Sequence, residues 1–190
     1  MPSPIILAST SRYRRELFKR LALPFSVVKP EVDETQRGGE SPLANCRRLA
    51  WEKALTVAKR LPDAIVIGCD QVLDHDGEAM SKPGDFATAW AQLKGCQGRT
   101  LICYTALCVL APGRPPLIDV VPTEIVYRNL QDTELIAYLE REQPFDAAGS
   151  VKVETNGITL LSAVKSDDPT AIIGLPLIRL TDFLRELGAL

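Results

Sequence analysis

Three arginines crowd the start of a helix in PIILASTSRYRREL, residues 4–17. Residues 4–8 are a short apolar run that reads as a buried strand. Ser9-Thr10-Ser11 then offers N-cap hydroxyls, and Tyr13, Leu17, Phe18 and Leu21 recur at helical spacing. Arg12, Arg14 and Arg15 therefore fall in the first turn, where the helix macrodipole disfavours cations by roughly 0.3–1 kcal/mol each. A bound anion reverses that sign. Free backbone N–H groups, serine hydroxyls and guanidinium forks together make a phosphate cradle. An ordinary capped helix with solvated arginines fits the same residues.

Other residues could complete such a site. Asp70 directly follows the apolar run AIVIGC, which predicts a strand buried on both faces with Asp70 at its carboxyl end, where ligands bind in open α/β sheets. A carboxylate there can hold a divalent cation or take a proton from water, and it can equally cap the next loop. Asp33 and Glu34, in PEVDET, offer further oxygen ligands. Lys53, in LAWEKALTVA, shares a helical phase with Leu49, Ala50 and Val57; it either snorkels from an apolar face or turns its ammonium to phosphate. Lys82 stands in a Ser-Lys-Pro-Gly-Asp loop ahead of a helix. Arg14, Lys53 and Lys82 would together give three cations for a polyphosphate.

In the stretch AGSVKVE, Gly149 permits close backbone approach, and Lys152 and Glu154 share one face if the chain is extended. Glu154 could then accept from a guanine edge, although a turn with a surface salt bridge fits as well. The lone histidine, His75, lies in the polar turn DHDGE. Ser-His-Asp, Cys-His and histidine-zinc chemistry all need histidine beside the reacting groups. Any hydrolysis must rest on carboxylates, lysines, arginines and a hard metal.

The elements that must position these residues alternate between strand and helix, which predicts an α/β fold with a mixed central sheet and flanking helices. Further strands are expected at 25–28, 64–69, 101–110, 120–127 and 158–164, and helices at 42–60, after Asp85, at 132–140 and at 177–187. The chain of 190 residues reads as a single domain over 1–190, or as two closely packed lobes around a cleft. A net charge of −2 gives no field for nucleic acid or an anionic membrane. The five cysteines form no CxxC pair and no signal or membrane-spanning segment is evident, so a reducing cytoplasm is expected.

In order and combination, LASTSRYRREL, PEVDE, AWEKA, IGCDQV, SKP, AAGSVKVE, GITL and GLPL resemble the Maf family of nucleotide pyrophosphatases, from about residue 5 to about residue 180. The resemblance implies an inosine-triphosphatase-like α/β fold with a deep cleft. It also implies hydrolysis between the α- and β-phosphates of a nucleoside triphosphate, releasing the monophosphate and pyrophosphate. Ser9, Ser11, Arg14 and Arg15 match the family's phosphate-binding motif, and Lys53 and Lys82 its cleft lysines. Asp70 matches the water-activating acid, with Glu34 assisting at a magnesium or manganese ion that Asp70 also holds. A homodimer is compatible with the family.

Tyr13 and Gln71 stand where family members acting on dTTP and UTP carry arginine and threonine. With Glu154 downstream, they resemble the branch acting on 7-methyl-GTP, whose methylated guanine is cationic and attracted to an aromatic face by about 0.5–2 kcal/mol. The alternatives are a pyrophosphatase for dTTP, UTP or another modified nucleotide, and a nucleotide-responsive cell-division regulator without hydrolysis. Arg12 departs from the family, which has proline there to preset the first helical residue.

Overall fold

The structure, a computed structural model, describes residues 3–190. It contains β1 (Ile5–Ala8), α1 (Arg12–Lys19), β2 (Ser26–Val28), α2 (Pro42–Ala58), β3 (Ile65–His75), β4 (Glu78–Ala79) and α3 (Phe86–Cys96). There follow β5 (Thr100–Leu110), β6 (Leu117–Tyr127), α4 (Asp132–Glu142), β7 (Leu161–Lys165) and α5 (Leu177–Glu186). The strands form one mixed sheet in the order β2-β1-β3-β5-β6-β7, with β4 paired to β3. β2, β1 and β3 run parallel, whereas β5, β6 and β7 continue from β3 in antiparallel register. The α/β class and mixed sheet are those expected from the sequence.

Three helices start where side-chain oxygens satisfy otherwise unpaired first-turn N–H groups. Ser11 accepts from the Arg14 N–H, Ser41 from that of Ala44 and Asp85 from that of Thr88. α2 also begins with Pro42, whose missing N–H costs nothing at that position.

Asp70 does not end its strand, as its position after AIVIGC predicts; it lies in the interior of β3. Antiparallel pairing with β5, from Val66 to Asp74, carries β3 well past the point where β1 stops. β1 pairs with β3 only as far as Ala8 opposite Gly68, and β4 takes up the same edge from Asp74. Between those pairings β3 lacks a neighbouring strand on that edge, and a cleft opens there.

Alternation along β3 sends Ile65, Ile67 and Cys69 into a core with Leu17 and Phe18 of α1 and Leu180, Phe183 and Leu184 of α5. Val66 and Val72 face Cys46, Ala50, Ala54 and Val57 of α2. A third cluster joins Leu73, Cys103, Ile125 and Tyr127 to α3 and α4. Gly68 is required for this packing: a Cβ there would stand 2.2 Å from the Ala50 carbonyl oxygen and 2.6 Å from the Ala54 nitrogen. Without a side chain at Gly68, α2 lies directly on the sheet and Lys53 comes down beside Asp70.

Two expectations fail near the end of the chain. Residues 158–160 belong to a short 3-10 helix, Asn156–Leu160, and not to a strand. Gly157 closes that turn against the Lys152 carbonyl, where any Cβ would stand 2.5 Å from the oxygen. The AGSVKVE stretch is likewise not extended, since it opens with a 3-10 turn at Ala148–Ser150 and bends again after Val153. The pleat that would put Lys152 and Glu154 on one face is therefore absent. All five cysteines are buried free thiols, and among the described residues no helix is long and apolar enough to cross a membrane.

Candidate active site

At the open edge of β3 lies a cleft of about 830 Å³, lined by Ser9, Ser11, Tyr13, Arg14, Glu34, Lys53, Asp70, Gln71, Lys82 and Glu154 among others. That volume suits a nucleotide-sized ligand. The β1–α1 turn supplies one end. The Ser11 N–H donates to Ser9 Oγ at 3.1 Å, and Ser11 Oγ accepts from the Arg14 N–H at 3.4 Å. Arg14 Nε donates to the Gly174 carbonyl at 2.8 Å, and the two terminal guanidinium nitrogens have no hydrogen-bond partner among the described residues. Gly174 has φ 118°, a conformation open to glycine, and a Cβ there would sit 3.5 Å from Arg14 Nε.

Lys53 bridges two carboxylates, with Nζ 2.7 Å from Asp70 Oδ1 and 2.8 Å from Glu34 Oε1. Lys53 is 5% exposed and Asp70 7%, so the pair sits at the cleft floor; Glu34 reaches in from the exposed β2–α2 connection. Burial pushes the Asp70 carboxyl above its ordinary range, against the opposing charges of Lys53 and Arg14. Partial burial also raises Glu34, but its bond to Lys53 and the charges of Lys53, Lys82 and Arg14 bring it below the usual range. The two acids are thereby separated in role: Asp70 is the better proton acceptor and Glu34 the more firmly ionised anion.

Among the described residues, no group of three histidine, cysteine or acidic side chains is placed to enclose a metal. Asp70 and Glu34 each engage Lys53 through one oxygen, leaving the other for a hard cation. That fits magnesium, which is commonly held by one or two carboxylates with substrate phosphates and water completing its shell.

The other end is apolar, lined by Leu73, Cys103, Ile125, Tyr127, Val151 and Val153. At the boundary, Gln71 Nε2 donates to the carbonyls of Ala171 and Ile172, both at 3.0 Å, and to Thr105 Oγ1 at 3.2 Å. These acceptors fix the amide's orientation and leave its Oε1 to accept from a ligand. Glu154 is exposed at the rim, while Lys152 pairs with Asp146 at 2.9 Å. The Tyr138 hydroxyl ties the rim to α4, donating to the Ser150 carbonyl and accepting from the Lys152 N–H, both at 3.1 Å. Tyr13 already faces a cation, with the Arg12 guanidinium 5.2 Å from its ring centroid.

Arg15 does not join the group. It is exposed and lies outside the cleft lining, because one residue along the helix from Arg14 turns it about 100° around the axis. Sequence reasoning missed Lys29, which lines the cleft just after β2; its signal was a cation at the carboxyl end of a strand parallel to β1. Among the described residues, Arg12, Arg14, Lys29 and Lys82 line the cleft without an ion-pair partner. This positive cluster beside buried Asp70 suits a polyanion.

The family model described as Maf-like protein matches residues 4–187. The 7-methyl-GTP pyrophosphatase of Cupriavidus pinatubonensis is 51% identical over 97% of this chain and 93% of its own. The protein of that name from Bordetella avium is 50% identical over the same shares. That from Xanthomonas oryzae pv. oryzae is 51% identical over 97% of this chain and 96% of its own. Among solved structures, the Staphylococcus aureus Ham1 protein is a partial and distant match, with 18% identity, a TM-score of 0.49, and coverage of 67% of this chain and 73% of that one.

Proposed function

The chain belongs to the Maf-like protein family, and from that premise we propose that it hydrolyses 7-methyl-GTP to 7-methyl-GMP and pyrophosphate. The observation that carries the reading is the Lys53-bridged pair of Asp70 and Glu34 beneath a cleft with cations at one end and an apolar wall at the other. Relatives at about half identity over nearly the whole chain are named 7-methyl-GTP pyrophosphatase.

The triphosphate lies against Ser9, Ser11 and Arg14, with Lys82 closing over it. Arg14 enters with its side chain already held by Gly174, so little freedom is lost when its fork takes phosphate. Asp70 accepts a proton as water attacks phosphorus in line. The new P–O bond forms while the bridging α–β P–O bond breaks, and pyrophosphate departs against Arg14, Lys53 and Lys82. Asp70 and Glu34 would hold magnesium or manganese, which supplies charge neutralisation on the phosphates when bound. The base lies in the apolar end, where Gln71 Oε1 and Glu154 accept from the guanine edge and Tyr13 faces its positive charge.

Arg14→Lys keeps the charge but loses the fork and the bond to Gly174. It is expected to lower kcat/KM about 10–100-fold, the equivalent of about one charge-assisted hydrogen bond. Glu154 is exposed, so Glu154→Gln should lower the preference for 7-methyl-GTP over GTP by only about 2–5-fold; equal effects on both substrates would separate Glu154 from recognition of the base's charge.

The test of the substrate is kcat/KM for 7-methyl-GTP, GTP, dTTP and UTP with magnesium or manganese. A clear preference for 7-methyl-GTP is expected. Preference for dTTP or UTP would overturn the base assignment while keeping the phosphate chemistry, and binding without turnover of any of them would favour the non-catalytic regulator.

A further inference from the structure

Glu34 lies in the connection between β2 and α2, which has no regular secondary structure and is exposed at every residue from 33 to 39. Its ion pair with Lys53 holds it on the cleft side. The connection is also fastened to α2, chiefly through the Arg48 guanidinium. Arg48, on α2, meets Glu40 in two parallel bonds, Nε to Oε1 at 2.7 Å and Nη2 to Oε2 at 2.8 Å. It also donates to Asn45 Oδ1 at 2.8 Å, to Glu52 Oε2 at 3.0 Å and to the Thr35 carbonyl at 3.2 Å.

The Thr35 carbonyl belongs to the residue after Glu34. Arg37 extends the network, its N–H on Glu40 Oε2 at 3.2 Å and Nη2 on Glu52 Oε1 at 2.8 Å. Unlike a solvated surface pair, the Arg48 and Glu40 side chains are only 10% and 12% exposed.

We propose that Arg48 is a positioning residue for the reaction: its fork clamps the β2–α2 connection onto α2 and so holds Glu34 against Lys53 and Asp70. The proposal rests on the role given to Glu34 above. Arg48 lies outside the cleft lining. Its effect passes through the backbone at Thr35 and the carboxylate at Glu40. Lysine cannot replace it, because an ammonium lacks the planar fork that meets both Glu40 oxygens while a third bond goes to Thr35. The Arg48 guanidinium also holds the Glu40 carboxyl at about 2, so the clamp stays ionised through the neutral range.

The test is a double-mutant cycle on kcat with 7-methyl-GTP, using Arg48→Lys, Glu34→Gln and the pair, with thermal unfolding followed in parallel. Arg48→Lys is expected to lower kcat about tenfold, in keeping with loss of a residue that orients a reacting group. In the Glu34→Gln background it should add no further loss. Glu40→Gln breaks the clamp from the other side and should give the same non-additive result, which keeps the test open if Arg48→Lys does not fold. Losses that multiply in the pair would overturn the proposal, since Arg48 would then act independently of Glu34. Full activity in Arg48→Lys with a slow Glu34→Gln would overturn the clamp and leave the Glu34 role standing. Full activity in Glu34→Gln would overturn that role and the clamp with it.

Discussion

Asp70→Asn is expected to lower kcat by about 10²–10⁴-fold, the range for loss of a general base, while leaving the folded protein at least as stable at neutral pH. The two halves have one origin. Burial raises the Asp70 carboxyl above its ordinary value, so the folded state binds that proton more tightly than the unfolded chain does. Such a group favours folding below its unfolded pKa, and that contribution is lost as pH rises through the folded pKa. At neutral pH, burying Asp70 is therefore a cost to the fold. Asparagine has the same shape, can accept from Lys53 and carries no charge to bury, and Lys53 keeps the Glu34 carboxylate as its charged partner. Single-turnover rates beside thermal unfolding at neutral pH test this. A variant that turns over normally would remove Asp70 from proton transfer, and one that is inactive because it unfolds would contradict the stability argument.

Lys53→Met should cost about 10²–10³-fold in kcat/KM at neutral pH, comparable to removing a preorganised group from a developing charge. Its pH dependence should also change. Lys53 opposes the burial that raises Asp70, and it lies 2.7 Å away. Without that ammonium the Asp70 carboxyl rises further and holds its proton to higher pH. Since the reaction needs ionised Asp70, the acid limb of kcat/KM should shift upward, with lost activity returning about tenfold per pH unit until Asp70 is ionised. Leaving one partner of a buried pair unmatched usually costs about 3–5 kcal/mol of stability; protonation of Asp70 should reduce that loss toward acid pH. A profile lowered uniformly, with no shift of its acid limb, would mean that Lys53 acts on phosphate alone.

Much of this arrangement was legible in local chemistry. Ser11, Ser41-Pro42 and Asp85 mark helix starts because capping depends on the residues immediately following. The phase of α1 and the apolar run of β3 are also local, which is why Ser9, Ser11, Arg14 and Asp70 could be singled out. Arg15 falls outside the cleft lining although the charge run R-Y-R-R marks it equally with Arg14, because which arginine faces the cleft depends on where α1 docks. The full length of β3 follows from its partner β5, far along the chain.

The bonding of Gln71 depends on Ala171 and Ile172, about a hundred residues away, and no spacing rule reaches that distance. Lys29 carries no mark that distinguishes it from a solvated loop lysine until β2 pairs with β1. The extended reading of AGSVKVE failed because Gly149 and Ser150 take left-handed backbone, at φ 69° and 60°. Glycine permits that conformation, but serine adopts it under tertiary constraint, here with Tyr138 on its carbonyl and Gln92 on its hydroxyl.

The chemistry proposed for this cleft is cleavage of the α–β anhydride of 7-methyl-GTP. The most direct test is to incubate the purified protein with 7-methyl-GTP and magnesium and resolve the products by phosphorus NMR. Pyrophosphate and 7-methyl-GMP in equal amounts, absent with Asp70→Asn, is the predicted result. Orthophosphate with 7-methyl-GDP, or a triphosphate left intact, would contradict it.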